Sequence, residues 1–343
     1  MKAMVMNRLC NLDNQPEPLE LMEMPVPVPA ETGLLIKVSA CGVCHTELDE
    51  IEGRTPPPLL PIVPGHQIIG LVEALGRDVV KFEKGDRVGI AWIQSACGNC
   101  SFCLEGRENL CEDFVATGRD ANGGYAEYTT VSENFAYKIP DIFADAEAAP
   151  LLCAGAVGYR ALRLSGIENG QNLGLVGFGA SAHIVLQLSK YMYPGTKVFV
   201  FSRTDIERAF AMELGAHWAG EFEGNLSEKL HCAIDTTPAW KPAVDVMKNI
   251  ERGGRLVINA IRKEEADKEY LLKLDYSRDL WMEKEIKSVA NVTRRDVAEF
   301  LQLAAEIPIR PEIQEFGLHE ANKALIELKQ RKIRGAKVLR PVR

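Results

Sequence analysis

Short apolar runs separated by turn residues dominate the first half of the chain. Apolar runs at 34–38 and 68–72 are each bounded by turn residues, and Gly85-Asp86 leads into a third run at 87–90. Such segments are typical of β-strands. The pattern therefore predicts that the first part of the chain is rich in short strands.

Near residue 153 the pattern changes, and strand-like runs begin to alternate with amphipathic helical segments. The predicted strands cover 173–177, 197–201, 232–235 and 255–260, and the predicted helices cover 182–192 and 206–214. Strands that alternate with helices predict a doubly wound parallel sheet, and hence an α/β protein.

Beyond about residue 291 the pattern changes again. Apolar positions at helical spacing predict helices around 297–304 and 321–328, and the final strand covers 336–339. We expect this tail to rejoin the first domain. The predicted boundaries are 1–152 for the β-rich domain, 153–290 for the parallel-sheet domain and 291–343 for the returning tail.

Composition excludes several classes of protein. The chain has 343 residues, enough for two domains, and a net charge of −8 that disfavours nucleic acid as a partner. Membrane spans need about 20 apolar residues, and we find no such run and no secretory leader. We therefore expect a cytoplasmic protein without a membrane partner, in which nine cysteines favour thiolate chemistry over disulfides.

Four cysteines occur within fifteen residues of one another, at spacings of three, three and eight. They are Cys97, Cys100, Cys103 and Cys111. Four thiolates at short loop spacings are what a closed, tetrahedral structural zinc site needs. A pair of disulfides is the alternative, which the absence of an export signal disfavours.

A glycine-rich turn at Gly177-Phe178-Gly179 lies between a predicted strand and a predicted helix. Backbone N–H groups and the helix dipole at such a turn can bind a pyrophosphate. We therefore assign Gly177, Gly179 and Ser181 to a dinucleotide site. The alternative is a tight turn that binds nothing.

The residues after the second strand of that domain bear on the choice of dinucleotide. NAD sites carry an acid there, whereas this chain has Ser202-Arg203. A hydroxyl and a guanidinium can bind a 2′-phosphate, which a carboxylate repels. We predict NADP(H), with NAD(H) as the alternative if Arg203 is only a solvated loop residue.

Three further segments could build an open zinc site, which needs about three protein ligands. They contain Cys41 with Cys44 and His45, then His66, then Cys153. Chemistry alone leaves other interpretations open, namely a buried thiol, a loop histidine and a redox pair of cysteines.

The chain resembles the zinc-dependent medium-chain alcohol dehydrogenases over nearly its whole length. The motifs are GVCHTE at 42–47, GH at 65–66, the cysteine cluster at 97–111, GGYAEY at 123–128, Cys153, GFG at 177–179 and IRGAKVL at 333–339. The resemblance implies a GroES-like catalytic domain that is split in sequence around a Rossmann domain. It also implies a homo-oligomer, a tetramer or a dimer.

The resemblance assigns roles to individual residues. It places the catalytic zinc on Cys44, His66 and Cys153, and the structural zinc on the four-cysteine cluster, giving two zinc ions per chain. Thr46 matches the hydroxyl that contacts the alcohol oxygen. The remaining matches are His45 and Arg334 beside the cofactor pyrophosphate, and Ile51, Trp92 and Tyr125 lining the substrate pocket.

Three residues depart from the family pattern. Glu47 replaces the aspartate that orients the ligand histidine, and Gln67 replaces a glutamate beside the zinc. Asp49 replaces the histidine that ends the proton relay. We expect its carboxylate to accept that proton, and the alternative is a relay that ends in water.

The expected function is reversible hydride transfer between primary aliphatic or aromatic alcohols or aldehydes and NADP(H). A polyol or amino-alcohol dehydrogenase and a zinc-free quinone reductase are alternatives within the same fold. A dinucleotide-binding protein without enzymatic activity is the alternative from another class.

Overall fold

A computed structural model gives the structure of the chain and describes residues 1–222, 226–307, 309–330 and 335–341. Contacts divide the chain into two units. One unit joins Met1–Cys153 with Val292–Arg343, and the other is Ala154–Asn291. Cys153, at which the sequence pattern began the second domain, lies in the first unit.

The described residues form seventeen strands and nine α-helices. The strands are β1 (Lys2–Val5), β2 (Glu20–Glu23), β3 (Gly33–Val43), β4 (Gln67–Leu75), β5 (Arg87–Ile90), β6 (Ile93–Ser95), β7 (Val115–Ala116), β8 (Tyr128–Ser132), β9 (Ala136–Lys138), β10 (Asn172–Val176), β11 (Lys197–Phe201), β12 (Trp218–Gly220), β13 (Leu230–Asp235), β14 (Ile250–Ile258), β15 (Glu285–Ser288), β16 (Ile313–Gly317) and β17 (Ala336–Arg340). The helices are α1 (His45–Ile51), α2 (Ser101–Leu104), α3 (Asp145–Ala148), α4 (Ala154–Ser165), α5 (Ala182–Met192), α6 (Asp205–Glu213), α7 (Trp240–Met247), α8 (Arg294–Glu306) and α9 (Ala321–Lys329). None of these helices has the length and the apolar character needed to cross a bilayer.

In the first unit, the pairing of β3 with β4 brings two distant parts of the chain together. The strands are antiparallel, and Gly42 near the end of β3 lies opposite Gln67 at the start of β4. Cys44 follows β3 and His66 precedes β4, so this register places both residues at the same edge of the sheet.

The C-terminal segment completes that sheet. Strand β17 pairs antiparallel with β3, and β16 pairs parallel with β17. The strand order is β16-β17-β3-β4-β5-β9, with β8 also paired to β3. Apolar side chains from this sheet and from α1 and α9 form the core of the unit.

The second unit contains a six-stranded parallel sheet in the order β12-β11-β10-β13-β14-β15. The first strand of the unit therefore lies at the centre, and the chain proceeds outward in both directions from it. This is the strand order of the doubly wound dinucleotide-binding fold. The prediction of a parallel Rossmann sheet is confirmed.

Two elements of the second unit differ from the sequence-based expectation. Strand β14 begins at Ile250 rather than at 255, because Gly253 adopts a φ of 69° and a register shift against β13 accommodates the glycines. Helix α4 was not expected at all. Its Gly155 and Gly158 lower the intrinsic helix propensity, but a Cβ at Gly158 would lie 2.8 Å from Ser181 Oγ, so close packing against α5 requires glycine.

Candidate functional site

Three side chains from separate parts of the first unit converge in a group that could hold a metal ion. The Sγ atoms of Cys44 and Cys153 and a ring nitrogen of His66 all lie within 4.8 Å of one another. His66 Nε2 is 3.6 Å from Cys44 Sγ and 3.4 Å from Cys153 Sγ. A zinc tetrahedron with ordinary bond lengths has a sulfur-to-nitrogen edge of about 3.6 Å. The separations therefore fit a tetrahedral zinc ion.

Local backbone structure holds each of these three residues. Cys44 is the N-cap of α1, where its Sγ accepts a hydrogen bond from the backbone N–H of Thr46 at 3.4 Å. Cys153 ends the short 3-10 helix Ala149–Leu152. A hydrogen bond with Cys153 and burial raise the pKa of the Cys44 thiol well above its usual value. Both thiols would lose their protons on binding a metal, and the bound cation would stabilise the two thiolates.

Glu47 orients the histidine of this group. Its Oε1 lies 2.7 Å from His66 Nδ1, and its Oε2 accepts a hydrogen bond from the Cys44 backbone N–H at 2.8 Å. With Nδ1 bound to the carboxylate, Nε2 faces the two sulfur atoms. Glu47 is fully buried, and it reaches the histidine despite being one methylene longer than aspartate. Gln67 packs instead against Gly42, where a Cβ would lie 2.6 Å from its Oε1.

The other candidate site residues of α1 differ in how far they are exposed. His45 is exposed, and Thr46 is partly exposed on the first turn. Asp49 is buried, and its Oδ1 accepts a hydrogen bond from Arg54 Nε at 2.6 Å. The sequence reasoning did not foresee this ion pair, which engages the carboxylate expected to accept a proton.

The four cysteines of the cluster also converge. The thiols of Cys97, Cys100, Cys103 and Cys111 lie within 4.8 Å of one another. Cys97 Sγ is 3.9 Å from Cys103 Sγ and 3.5 Å from Cys111 Sγ. A disulfide requires about 2.05 Å, whereas the edge of a zinc–sulfur tetrahedron is about 3.8 Å. All nine cysteines are free thiols, so the geometry favours a metal site over disulfides.

Backbone hydrogen bonds and burial shift the pKa values of two of these thiols in opposite directions. Hydrogen bonds from the N–H groups of Asn99 and Cys100 lower the pKa of Cys97 to about 7. Burial raises the pKa of Cys103 to about 12. Only one of these two thiols therefore readily ionises by itself, and a cation would have to stabilise the other thiolate.

A buried glutamate attaches this cysteine cluster to the C-terminal segment. Glu108 Oε1 accepts hydrogen bonds from the backbone N–H of Arg294 at 2.6 Å and from its Nε at 3.0 Å. The guanidinium of Arg294 also lies 5.3 Å from the ring centre of Phe135. These contacts join positions 186 residues apart, which spacing alone cannot reveal.

In the second unit, the glycine-rich turn lies between β10 and α5 as expected. Gly177 has a φ of 83°, and a Cβ there would lie 2.8 Å from Thr236 Oγ1. A Cβ at Gly179 would meet no atom within 4 Å, so its backbone is open to close approach by a ligand. The hydroxyl of Ser181 donates to the carbonyl oxygen of Ala154 at 2.9 Å, and this bond helps to hold α4 against α5.

The expected 2′-phosphate site contains an acid that the sequence reasoning missed. Ser202 is buried, and its hydroxyl donates a hydrogen bond to a carboxylate oxygen of Glu207. Arg203 is exposed. Glu207 lies in the first turn of α6, five residues after Ser202, and that spacing could have revealed it. Arg334 lies outside the described residues.

The residues expected to line the substrate pocket all belong to the core of the first unit. Ile51 and Tyr125 have no exposed surface, and Trp92 is 9% exposed. A cavity of about 250 Å³ occurs in this unit, and its lining includes Met24, Gln94 and Tyr128 but none of the expected site residues. This cavity therefore does not support a substrate pocket lined by Ile51, Trp92 and Tyr125.

Comparison with known proteins gives one consistent family. Residues 30–141 match the family described as the alcohol dehydrogenase GroES-like domain. A probable alcohol dehydrogenase, AdhA, from Mycobacterium tuberculosis (strain CDC 1551 / Oshkosh) is 39% identical over 94% of this chain and 92% of its own length. An alcohol dehydrogenase from Geobacillus stearothermophilus is 34% identical over 99% of both chains.

A solved structure agrees on the fold. The cobalt- and zinc-bound thermostable alcohol dehydrogenase from Pyrobaculum aerophilum is 24% identical, covers 99% of both chains and superposes with a TM-score of 0.85. The GroES-like domain expected from the sequence is thus confirmed together with the Rossmann sheet. The chain belongs to the medium-chain zinc alcohol dehydrogenase family, whose members are NAD(P)-dependent oxidoreductases that act on alcohols.

Proposed function

We propose that this protein is a zinc-dependent alcohol dehydrogenase that interconverts primary alcohols and aldehydes with NADP(H). The observation that carries the proposal is the convergence of Cys44, His66 and Cys153 at separations that fit zinc. Three protein ligands leave one tetrahedral position for substrate, which is the arrangement of a catalytic zinc site.

Two zinc ions per chain are expected, one in each cysteine-containing group. Zinc bound to Cys44, His66 and Cys153 would supply a Lewis acid that favours the alkoxide form of the alcohol. Zinc bound to the four-cysteine cluster would have a structural role, since four protein ligands leave no position for substrate.

The chain's own residues would orient and deprotonate the substrate. Thr46 follows the ligand Cys44 by two residues, and its hydroxyl would accept the proton of the alcohol and pass it outward. Glu47 would hold His66 in the tautomer that leaves Nε2 free for the metal. His45 and Arg334 would contact the cofactor pyrophosphate, as the family resemblance implies.

Asp49 is proposed to receive the proton from Thr46. Because its carboxylate is paired with Arg54, proton transfer would have to compete with this ion pair. Measuring kcat for alcohol oxidation against pH tests the role, and Asp49→Asn should change that profile. An unchanged profile would remove Asp49 from the relay.

The dinucleotide would occupy the turn at Gly177 and Gly179, at the N-terminus of α5. Ser202 and Arg203 support NADP(H), since a hydroxyl and a guanidinium can bind a 2′-phosphate. The contact of Ser202 with Glu207 favours NAD(H) as a second candidate, because a carboxylate there would accept a hydrogen bond from the ribose 2′-hydroxyl and repel a phosphate. The ratio of kcat/KM for NADP⁺ to that for NAD⁺ decides between them.

Trp92, Ile51 and Tyr125 would present an apolar wall to the alcohol. Activity toward a series of aliphatic and aromatic primary alcohols, with zinc content measured on the same sample, tests the whole proposal. Turnover that requires zinc supports it. A protein that binds both zinc ions and dinucleotide but oxidises no alcohol would instead be a binding protein. The cytoplasmic location and the homo-oligomer stay predictions.

A further inference from the structure

The second unit buries an ion pair that the proposed mechanism does not use. Asp235 ends β13 and has no exposed surface, and the side chain of Lys263, which follows β14, is only 7% exposed. Taking two charges out of water costs free energy, so a buried ion pair is weak evidence for stability. A role in fixing one arrangement of the chain is an alternative explanation, which the contacts of this pair support.

Lys263 holds the connection between β13 and α7, which covers residues 236–239. Its Nζ donates hydrogen bonds to a carboxylate oxygen of Asp235, to the carbonyl oxygen of Thr237 at 2.9 Å and to that of Ala239 at 2.7 Å. An ammonium group has three protons to donate. Each of them therefore has an acceptor, either at the end of β13 or within the β13–α7 connection.

The same carboxylate also holds Thr237. Asp235 Oδ1 accepts hydrogen bonds from the backbone N–H of Thr237 at 2.9 Å and from its hydroxyl at 2.7 Å. Asp235 thus uses one oxygen for Thr237 and the other for Lys263. The ion pair and the threonine form one network, in which both buried charges are paired.

This network borders the glycine-rich turn. The backbone N–H of Thr236 bonds to the carbonyl oxygen of Val176 at 2.9 Å. A Cβ at Gly177 would lie 2.8 Å from Thr236 Oγ1 and 2.9 Å from Thr237 Cγ2. The two threonines therefore pack directly against the turn, and a shift of the connection would change the position of the backbone that is proposed to bind the pyrophosphate.

The strand order gives this contact a functional meaning. Strand β10 lies at the centre of the sheet, with β11 on one side and β13 on the other. The strand order reverses at this point, and ligands of open α/β sheets bind there, outside the carboxyl ends of the strands. The glycine-rich turn follows β10 and the β13–α7 connection follows β13, so they form the two sides of the expected crevice. Thr236 and Thr237 are partly exposed, which leaves the connection accessible.

We propose that Asp235 and Lys263 are positioning residues for the dinucleotide. Their ion pair holds the β13–α7 connection against the glycine-rich turn, in the arrangement that binds the cofactor, and it acts through Thr236 and Thr237. This inference rests on the proposed dinucleotide site at the turn. It is independent of the choice between NAD(H) and NADP(H), which depends on residues that follow β11.

The test measures binding rather than turnover. The dissociation constants of NADH and NADPH are measured by calorimetry, well below the melting temperature of each variant. In Lys263→Met the constant for the dinucleotide that the wild type binds more tightly should rise about 10- to 100-fold, which corresponds to about 1–10% of the molecules keeping the competent arrangement. Asp235→Asn keeps an oxygen for Thr237 and should raise that constant less than tenfold.

A control variant separates positioning from stability. Arg255 makes two hydrogen bonds of 2.9 Å to Glu285, and it lies opposite Cys232 in the first half of β13, away from the carboxyl ends. Arg255→Met should lower the melting temperature without changing the dissociation constant. The double variant Asp235→Asn/Lys263→Met leaves no uncompensated buried charge, so it keeps the test possible where Lys263→Met does not fold. It should still bind the dinucleotide at least about tenfold more weakly than the wild type.

Three results would overturn the proposal. A folded Lys263→Met or double variant with the wild-type dissociation constant would limit the pair to a role in stability. An equal loss of affinity in Arg255→Met would show that any destabilisation of the unit weakens binding. Failure of all three variants of the pair to fold would make it a requirement of the fold rather than of cofactor positioning. A wild type that binds neither dinucleotide contradicts the proposed dinucleotide site itself, whereas the first three results leave that site standing.

Discussion

The two cysteine-containing groups of the first unit are built in opposite ways. The four-cysteine cluster takes all its donors from residues 97–111, whereas Cys44 and Cys153 of the other group are 109 positions apart. Four sulfur donors can close a tetrahedron, while two sulfurs and one nitrogen leave a position for substrate. The difference teaches that the first group can form locally, whereas the second depends on the pairing of β3 with β4 and on the distant segment that ends at Cys153.

The largest effect should come from breaking the three-donor group. His66→Ala removes one ligand and should lower kcat/KM for alcohol oxidation at least about 1,000-fold, because the Lewis acid contributes several kcal/mol to the transition state. Zinc content should fall from two to one per chain with little change in melting temperature. Activity within tenfold of the wild type would show that this group is not the catalytic centre.

Breaking the four-cysteine cluster should lower the stability of the protein and leave the activity of the folded protein largely intact. Cys103→Ser should lower the melting temperature by about 10 °C, since losing several kcal/mol of metal binding shifts it by about 2–4 °C per kcal/mol in a unit of this size. The activity per folded, zinc-loaded catalytic group should stay within tenfold. Cys10→Ser, which alters a cysteine outside both groups, is the matched control and should retain two zinc ions.

The hydrogen bond from His66 Nδ1 to Glu47 Oε1 distinguishes the two groups at a finer level. Glu47→Ala should weaken zinc binding by the three-donor group about 10- to 100-fold, as measured by competition with a chelator, because the imidazole loses its orienting carboxylate. Zinc in the four-cysteine cluster should be unaffected. Glu133→Ala removes a buried carboxylate bonded to the backbone of Val80 and Lys81, and it should change neither zinc affinity.

The smallest effect should come from the contact that attaches the cysteine cluster to α8. Glu108→Ala should lower the free energy of unfolding by about 1–3 kcal/mol, because it leaves the backbone N–H of Arg294 without its acceptor. Arg294→Ala keeps the backbone bond, removes the side-chain bond and the contact with Phe135, and should cost less. Denaturant melts of both variants measure this, and equal stability of wild type and Glu108→Ala would contradict the assigned contact.

The sequence predicted best what is local. Strand β11, helix α5 and the turn at Gly177 follow from apolar periodicity and glycine placement within a few residues. The exposed strand β15 was missed because its residues, Glu285–Ser288, form no apolar run. Helix α4 was missed because its glycines serve packing against α5 rather than helix formation.

For the candidate site, non-local contacts set the limit. Spacing alone indicated a metal site at 97–111, but it left Cys44, His66 and Cys153 open until the family resemblance was considered. No sequence pattern predicted the ion pair between Arg54 and Asp49. The pair of Lys263 with Asp235 was missed for the same reason, because it joins positions 28 residues apart.

The central claim is that an open zinc site on Cys44, His66 and Cys153 carries the activity. The most direct measurement is the zinc content of one preparation, followed with its turnover while a chelator removes the metal and added zinc restores it. The account predicts two zinc ions per chain at full activity, and turnover proportional to the occupancy of the three-donor group. Full activity with a single zinc ion, held by the four-cysteine cluster, would contradict it.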